Sequence, residues 1–399
     1  MVSTNILFSF TLLLLVTAAP QRHLTDYDEA NAKMLLNLAA AAYSNTPETC
    51  VNITMPSSQK WYIIIEESTI CDAHDSSCSG YTIRSDVARQ YIVVFRGTKT
   101  KKQLLIEGWK SLKPGVDFYG VGKVNRYFSR ALDTIWPNIE ILLKDADTRS
   151  YTVTFTGHSL GGALASLAAM RTVLENLRSS HEVKLVTFGQ PRVGDRELAM
   201  KHDELVPHSY RVVHRADIVP HLPACQKDDD DSERKDDKSK PCDTNGDGRA
   251  YHHGTEIWYP YGMKPGAEYF ECLGRPKGED FNCSDSLTFD LSEYDIYISD
   301  HRHYFDHKVP TYGKLGCVEL AEEVAVKESA ESLGQASSAQ SNTESALRKV
   351  ISSVATVARF LGIHRKDGLV GKFAIQNSVH SIPYLFTSLF SSTDLRPVC

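Results

Sequence analysis

The sequence lacks a hydrophobic run long enough to cross a membrane as a helix, and it lacks an excess of positive charge. Its first apolar stretch, Ile6–Val16, is too short to span a bilayer and is followed by small residues and a proline, as in secretory signal peptides. The net charge of −6 argues against a nucleic-acid partner. We therefore predict a signal peptide at residues 1–18 and a secreted, extracellular protein with no transmembrane segment.

Clustered metal ligands are also missing, because the chain has no C-x-x-C spacing and no close group of cysteine and histidine. Residues 243–248 resemble the start of an EF-hand loop, but Gly254 stands where calcium needs a bidentate glutamate. We therefore expect no metal. A secreted chain with nine cysteines is instead expected to form disulfides. The expected pairs are Cys71–Cys78, Cys225–Cys242, Cys272–Cys283 and Cys50–Cys317.

An odd number of cysteines leaves at least one without a partner in its own chain. Cys399 is the candidate, and a dimer joined through it is one expectation. Two N-x-S/T patterns, which begin at Asn52 and Asn282, are candidate glycosylation sites.

The stretch Tyr151–Ala168 predicts a strand, a tight turn and a helix around Ser159. A run of alternating β-branched residues leads into a G-x-S-x-G motif at Gly157–Gly161, and small helix-forming residues follow. Glycines without a Cβ allow the strained backbone that such a turn requires. We therefore predict that Ser159 is a nucleophile raised above a sheet, over a helix N-terminus that favours a developing oxyanion.

Apolar strands and amphipathic helices alternate along the chain on both sides of this motif. Buried strands are predicted at Trp61–Glu66, Gln90–Arg96 and Val183–Thr187, and further strands at Thr152–Thr156 and Ser209–His214. Helices are predicted at Tyr27–Tyr43, Val121–Ala146 and Arg196–Leu205, with Pro137 kinking or dividing the second of them. This alternation predicts an α/β fold with a mostly parallel central sheet and helices on both faces.

Composition also suggests boundaries around one main domain at residues 19–318. The charged tract between Cys225 and Cys242 predicts a solvated insertion at residues 226–241. A Ser/Ala/Glu-rich linker is predicted at residues 319–346. An extension with an amphipathic helix is predicted at residues 347–399.

A nucleophilic serine needs a base and an orienting acid, and the sequence offers several candidates for each role. Asp217 follows a strand, at the edge of the sheet where active residues collect, whereas Asp195 is placed to cap a helix. His301 follows Ser159 and Asp217 in the order Ser–Asp–His. His303 and His307 remain alternatives, and His158 points away from its neighbour Ser159.

Between about Asp28 and Cys317 the chain resembles the class 3 (fungal-type) lipases, as a secreted animal-type member with a C-terminal extension. The motifs that carry the resemblance occur in the family's order at Phe95–Thr98, Gly157–Gly162, Phe188–Asp195, Asp217–Pro223 and Asp300–Phe305. The resemblance implies an α/β-hydrolase fold with Ser159 as nucleophile, His301 as general acid and base, and Asp217 as the residue that orients His301. It further implies an oxyanion hole formed by Thr98 and Leu160, and no cofactor.

The same resemblance assigns residues 99–112 to a lid over the site. Its expected apolar side consists of Leu104, Leu105, Ile106 and Trp109. The family's asparagine, tryptophan and aspartate in this segment are replaced at Gln103, Leu104 and Glu107.

The implied function is hydrolysis of lipid esters at a lipid–water interface, with triacylglycerol as the first substrate expected. The alternatives are a phospholipase A, a lysophospholipase or a small-ester esterase with the same triad. An alternative of another class is a catalytically silent lipid-binding protein.

Overall fold

The computed structural model describes residues 24–71, 77–98, 114–228, 240–243, 245, 248–274 and 277–318. These residues belong to the first of the two units into which the chain divides, Met1–Glu319 and Leu320–Cys399. The predicted signal peptide, lid, linker and C-terminal extension lie outside the described residues, as does most of the charged insertion.

An eight-stranded sheet forms the centre of the described part, in the order β1-β2-β3-β6-β7-β9-β11-β12. Its strands are β1 (Tyr62–Ile70), β2 (Ser77–Ser85), β3 (Gln90–Phe95), β6 (Thr152–His158), β7 (Val183–Phe188), β9 (His208–His214), β11 (Thr255–Tyr259) and β12 (Phe270–Cys272). Neighbours from β3 to β11 pair in parallel, whereas β1–β2, β2–β3 and β11–β12 pair antiparallel. The predicted mostly parallel sheet is therefore confirmed.

Helices cover both faces of this sheet, as the alternation predicts. The described helices are α1 (Glu29–Ala41), α2 (Pro47–Thr54), α3 (Arg126–Lys144), α4 (Leu160–Leu174), α5 (Arg196–Leu205), α6 (Tyr294–Arg302) and α7 (Val309–Lys314). One buried apolar cluster joins α3 and α4 to the sheet, and a second joins α1, α2 and α7 to the opposite face. None of these described helices is long and apolar enough to cross a membrane.

Short strands complete the described fold outside the main sheet. A four-stranded sheet consists of β4 (Pro114–Asp117), β5 (Lys123–Asn125), β8 (Gly194–Asp195) and β10 (Ala250–Tyr251). A two-stranded ribbon of β13 (His303–Tyr304) and β14 (His307–Lys308) follows α6 directly. The chain after α6 therefore forms a tight antiparallel hairpin.

Two predicted elements differ from the structure. The segment predicted as a buried strand at Trp61–Glu66 falls, from Tyr62 onward, in the edge strand β1, whose side chains are exposed or only partly buried because β1 has a neighbour on one side. The helix predicted at Val121–Ala146 begins later, because the Asn125 side chain accepts hydrogen bonds from the first-turn N–H groups of Tyr127 and Phe128.

Pro137 does not divide α3, which runs without a break from Arg126 to Lys144. The proline lies on the exposed face of the helix, where water can satisfy the carbonyl that loses its partner. Leu132 and Ile139, one on each side of the proline, are buried in the same core. Packing therefore overrides the helix-breaking tendency of Pro137.

A buried ion-pair network lies beside the strands β9 and β11. The Arg192 guanidinium donates two hydrogen bonds to the Glu279 carboxylate, with N···O distances of 2.7 and 2.8 Å. Asp285 lies 3.4 Å from the same guanidinium, and Arg211 pairs with Glu256 in the same buried region. Such bidentate pairs are geometrically specific, so they fix the loop after β7 against the loop that carries Glu279.

The charged insertion begins and ends at a narrow neck of described residues. The Cys225–Cys242 disulfide closes this neck. Two backbone hydrogen bonds reinforce it, from Asp228 N–H to the Pro241 carbonyl at 2.9 Å and from Asp243 N–H to the Gln226 carbonyl at 2.7 Å. The two ends of the insertion are thus held together independently of the residues between them.

Replacing Glu279 with glutamine is expected to lower the free energy of unfolding by about 3 kcal/mol, because the charge of Arg192 stays buried without its main counter-ion. Urea unfolding monitored by circular dichroism measures this change. Glu204→Gln is the matched control, since its ion pair with Lys201 is exposed and is worth at most about 1 kcal/mol. An equal effect of the two substitutions would contradict the role given to the buried pair.

Candidate active site

Ser159 occupies the turn between β6 and α4 in a backbone conformation that residues with side chains rarely adopt. Its φ is +63° and its ψ is −130°, and its N–H donates to the Phe188 carbonyl at 2.8 Å. A Cβ on Gly161 would overlap the carbonyl oxygen of Phe95, and a Cβ on Gly157 would overlap the backbone of Gly161. The two motif glycines therefore do what the sequence predicts, since the turn closes only without their side chains.

The structure brings Ser159, His301 and Asp217 into one chain of hydrogen bonds. The Ser159 Oγ lies 3.0 Å from His301 Nε2, and both carboxylate oxygens of Asp217 lie 3.0 Å from His301 Nδ1. Because a carboxylate oxygen only accepts, Nδ1 carries the proton, and Nε2 is left to accept from the serine hydroxyl. All three side chains are buried, with exposures of 1%, 3% and 0%.

Two further donors hold the Asp217 carboxylate in place. The Tyr304 hydroxyl donates to Oδ2 at 2.6 Å, and the Val219 N–H donates to Oδ1 at 2.9 Å. Burial, followed by the negative charge of Asp217, raises the pKa of the Tyr304 hydroxyl, which therefore remains a donor. Nothing in the sequence singles out Tyr304 except its place in the motif after His301.

Gly189 supplies space at the centre of the site, a role that sequence reasoning misses. It follows β7 with φ of +56°, and its N–H donates to the Val212 carbonyl at 3.1 Å. A Cβ built on Gly189 would lie 2.7 Å from Asp217 Oδ2 and 2.8 Å from His301 Nδ1. The Asp217–His301 hydrogen bond therefore requires a glycine at this position.

The predicted oxyanion residues belong to the two backbone segments that meet at Ser159. Leu160 is the first residue of α4, so its N–H belongs to the helix N-terminus. Thr98 follows Gly97 at the carboxyl end of β3, and a Cβ on Gly97 would come within 3.1 Å of the Ser159 Cβ. The lid candidates Leu104, Leu105, Ile106 and Trp109 lie outside the described residues.

The competing acid and base candidates have other partners. Asp195 caps α5 by accepting from the Leu198 N–H at 3.0 Å, as predicted. His303 donates from Nδ1 to the Ser299 carbonyl at 2.7 Å, and the His307 ring stacks on Tyr312. These contacts leave His301 as the histidine whose ring meets Ser159.

The cysteine pairs expected from the sequence are disulfide-bonded in the structure. The bonds join Cys50–Cys317, Cys71–Cys78, Cys225–Cys242 and Cys272–Cys283. The groups that collect three metal-ligand atoms within the described residues each contain one of these disulfides, whose sulfurs are not free thiolates. Asn52 and Asn282 are both exposed, and Cys399 lies outside the described residues.

Substituting Gly189 with alanine is expected to lower kcat for ester hydrolysis by about 100-fold or more, because the new methyl group displaces His301 or Asp217. Gly120→Ala is the matched control, since Gly120 also has a positive φ, +71°, but its Cβ would meet no atom within 4 Å. Because φ is positive at both positions, alanine introduces similar backbone strain in both variants. Melting temperatures measured beside the kinetics report the effect of this strain on stability. Equal losses of activity would contradict the steric argument.

Comparisons with known proteins agree with this geometry. The family model described as Lipase (class 3) matches residues 92–227. A lipase from Caenorhabditis elegans is 47% identical over 292 residues, covering 73% of this chain and 83% of the relative. A protein from Fusarium solani named a secreted mono- and diacylglycerol lipase is 28% identical, covering 50% of this chain and 60% of the relative.

Solved structures give the same result for the fold. The Rhizomucor miehei lipase–propeptide complex superposes with a TM-score of 0.55 at 25% identity, covering 72% of this chain and 84% of that one. The shared fold, the elbow around Ser159 and the extent of the match to the nematode relative lead to one conclusion. The chain belongs to the class 3 lipase family and is a carboxylic ester hydrolase.

Proposed function

We propose that Ser159 attacks the carbonyl carbon of a lipid ester while His301 takes its proton. The Oγ–carbon bond forms, the proton moves to Nε2, and the resulting tetrahedral intermediate expels the alcohol, which leaves with that proton. Water then attacks the carbonyl carbon of the acyl-enzyme while His301 takes a proton from it. The Oγ–carbon bond breaks, His301 returns the proton to Ser159 Oγ, and the carboxylic acid departs. Support comes from the hydrogen-bond distances of 3.0 Å between Ser159 and His301 and of 3.0 Å between His301 and Asp217.

Asp217 holds His301 in the tautomer whose Nε2 can accept the hydrogen of the Ser159 hydroxyl. Its carboxylate accepts from His301 Nδ1, from the Tyr304 hydroxyl and from the Val219 N–H, so that it stays oriented while the imidazole gains and loses a proton. In this proposal Asp217 itself does not take up the proton.

The oxyanion of the tetrahedral intermediate is proposed to accept from the Leu160 N–H and from the N–H and hydroxyl of Thr98. Leu160 begins α4, so the positive end of the helix dipole adds to its N–H. A donor of this kind typically contributes about 3–4 kcal/mol to transition-state stabilisation.

Acylglycerols are the proposed substrates, with triacylglycerol first, at a lipid–water interface outside the cell. The acylglycerol activity named for the Fusarium solani relative supports the substrate class, and that relative is named as secreted. Four disulfides favour an oxidising compartment. A dimer through Cys399 remains a proposal for which non-reducing electrophoresis is the test.

Ser159→Ala is expected to remove nearly all hydrolysis, since the residual rate from binding and the oxyanion hole alone is several powers of ten lower. Asp217→Asn and His301→Ala are expected to lower kcat by about 10³-fold or more for the same reason. The measurement is turnover of a soluble short-chain ester, with circular dichroism as the folding control. Turnover that survives both Asp217→Asn and His301→Ala would overturn the assignment.

The substrate class is tested separately, on matched short-chain ester, triacylglycerol emulsion and phospholipid vesicles, each with Ser159→Ala as the blank. Serine-dependent release of fatty acid from the emulsion is the expected result. Activity confined to vesicles would replace the acylglycerol proposal with a phospholipase.

A further inference from the structure

The helix that carries His301 ends in carbonyl groups that have no partners within a regular helix. In this structure three consecutive carbonyls of α6 accept from histidine rings. His303 Nδ1 donates to the Ser299 carbonyl at 2.7 Å, His214 Nδ1 to the Asp300 carbonyl at 3.1 Å, and His158 Nε2 to the His301 carbonyl at 2.8 Å. The last two of these donors are buried and come from β9 and β6.

The tautomer of His158 follows from its two partners. Since a carbonyl oxygen only accepts, Nε2 carries the proton toward His301, and Nδ1 accepts from the Tyr43 hydroxyl at 2.9 Å. The Tyr43 oxygen lies beside Gly97, because a Cβ built on Gly97 would overlap it, and the oxyanion candidate Thr98 follows Gly97. Two consecutive hydrogen bonds thus join the Tyr43 hydroxyl, through the His158 ring, to the backbone of His301.

His158 is also a neutral neighbour for the His301 ring. The two rings stack with their centroids 4.7 Å apart and an angle of 27° between their planes. Burial first, and then the positive charge that His301 can carry, lowers the pKa of His158 to about 3. The groups that face it are Tyr43, Asp217, His301, Arg302 and Tyr304. A neutral ring at this place can remain stacked when His301 becomes an imidazolium.

His214 joins the other two elements of the site. Its Nδ1–H donates to the Asp300 carbonyl, while the Asp300 carboxylate accepts from the Ala216 N–H at 3.2 Å. Asp217 directly follows Ala216, and His301 directly follows Asp300. These reciprocal bonds therefore fix the spacing between the residue that orients and the residue that transfers the proton.

We propose that His158 and His214 are positioning residues, whose ring N–H groups hold the last turn of α6 so that the His301 ring stays between Ser159 and Asp217. The inference rests on the proposed function of His301. Misplacement of a catalytic group by about 1 Å can cost about 100-fold in rate, so loss of these donors lowers kcat without weakening substrate binding.

The test compares His158→Phe, which keeps a ring but loses the donor, with His158→Gln, whose amide nitrogen can replace Nε2. On a soluble short-chain ester, we expect kcat of the phenylalanine variant to fall about 10- to 100-fold with KM within twofold. The glutamine variant should recover kcat to within a few-fold of the parent. Equal kcat for the two variants, or a phenylalanine variant that equals the parent, would overturn the proposal.

A second pair keeps the inference testable if the His158 variants fail to fold. His214→Asn replaces Nδ1 with an amide nitrogen and should retain kcat, whereas His214→Leu should lose it, again with KM unchanged. His303→Leu is the matched control, because His303 donates to the same helix end but is partly exposed and does not contact the site. A loss of kcat in His303→Leu as large as in His214→Leu would contradict a specific positioning role.

His301→Ala separates this inference from the proposed function. An active His301→Ala variant would refute the general acid and base assignment itself. An inactive His301→Ala variant together with a fully active His158→Phe variant would refute the positioning role alone.

Discussion

The active geometry depends on how closely backbone segments approach one another at the carboxyl ends of β3, β6 and β7. Each of these strands ends beside a glycine that has no room for a side chain. A Cβ on Gly97 would collide with the elbow, one on Gly161 with β3, and one on Gly189 with the Asp217–His301 hydrogen bond. Strand spacing in a sheet is fixed at about 4.8 Å, so the fold cannot widen to make room. The constraint acts directly on the distances between Ser159, His301 and Asp217.

Electrostatic order in the site comes from buried donors rather than from neighbouring counter-charges. Asp217 has no exposed surface, yet its carboxylate accepts from an imidazole, a phenol and a backbone N–H. A buried carboxylate is tolerated when its lone pairs are met in this way. Uncharged donors also act at the end of α6, where the buried rings of His158 and His214 donate to the carbonyls of His301 and Asp300.

The five predicted strands, the elbow and the helix cap at Asp195 could be predicted because each depends on local pattern. The β-branched run before Gly157 and the spacing of its glycines determine the elbow without reference to distant residues. The edge position of β1 could not be predicted, because Ile63–Ile65 are apolar whether a strand has one neighbour or two. The strand β2, Ser77–Ser85, is not predicted at all. Its sequence is largely polar, and it forms a strand because it pairs with β1 on one side and β3 on the other.

The resemblance to a family supplied the choice of His301, which residue spacing alone left open against His303 and His307. Contacts between residues that are far apart in the sequence could not be predicted from it. Gly189 and His158 lie in motifs, but their roles depend on what stands opposite them: Asp217 and His301 in one case, Tyr43 and the end of α6 in the other. A motif specifies residue types and their order in the chain. The role of a residue in packing can be assigned only when the residue that it contacts in the fold is known.

The neck at Cys225 and Cys242 has a consequence for how this chain can vary. Its disulfide and the two hydrogen bonds beside it hold the two ends of the charged insertion together. Since loop entropy grows only slowly with length, residues can be added or removed beyond the neck at little cost to folding. The tract is thus a permissive position, where a new peptide, an epitope or a whole small domain can be inserted while the hydrolase core keeps its geometry.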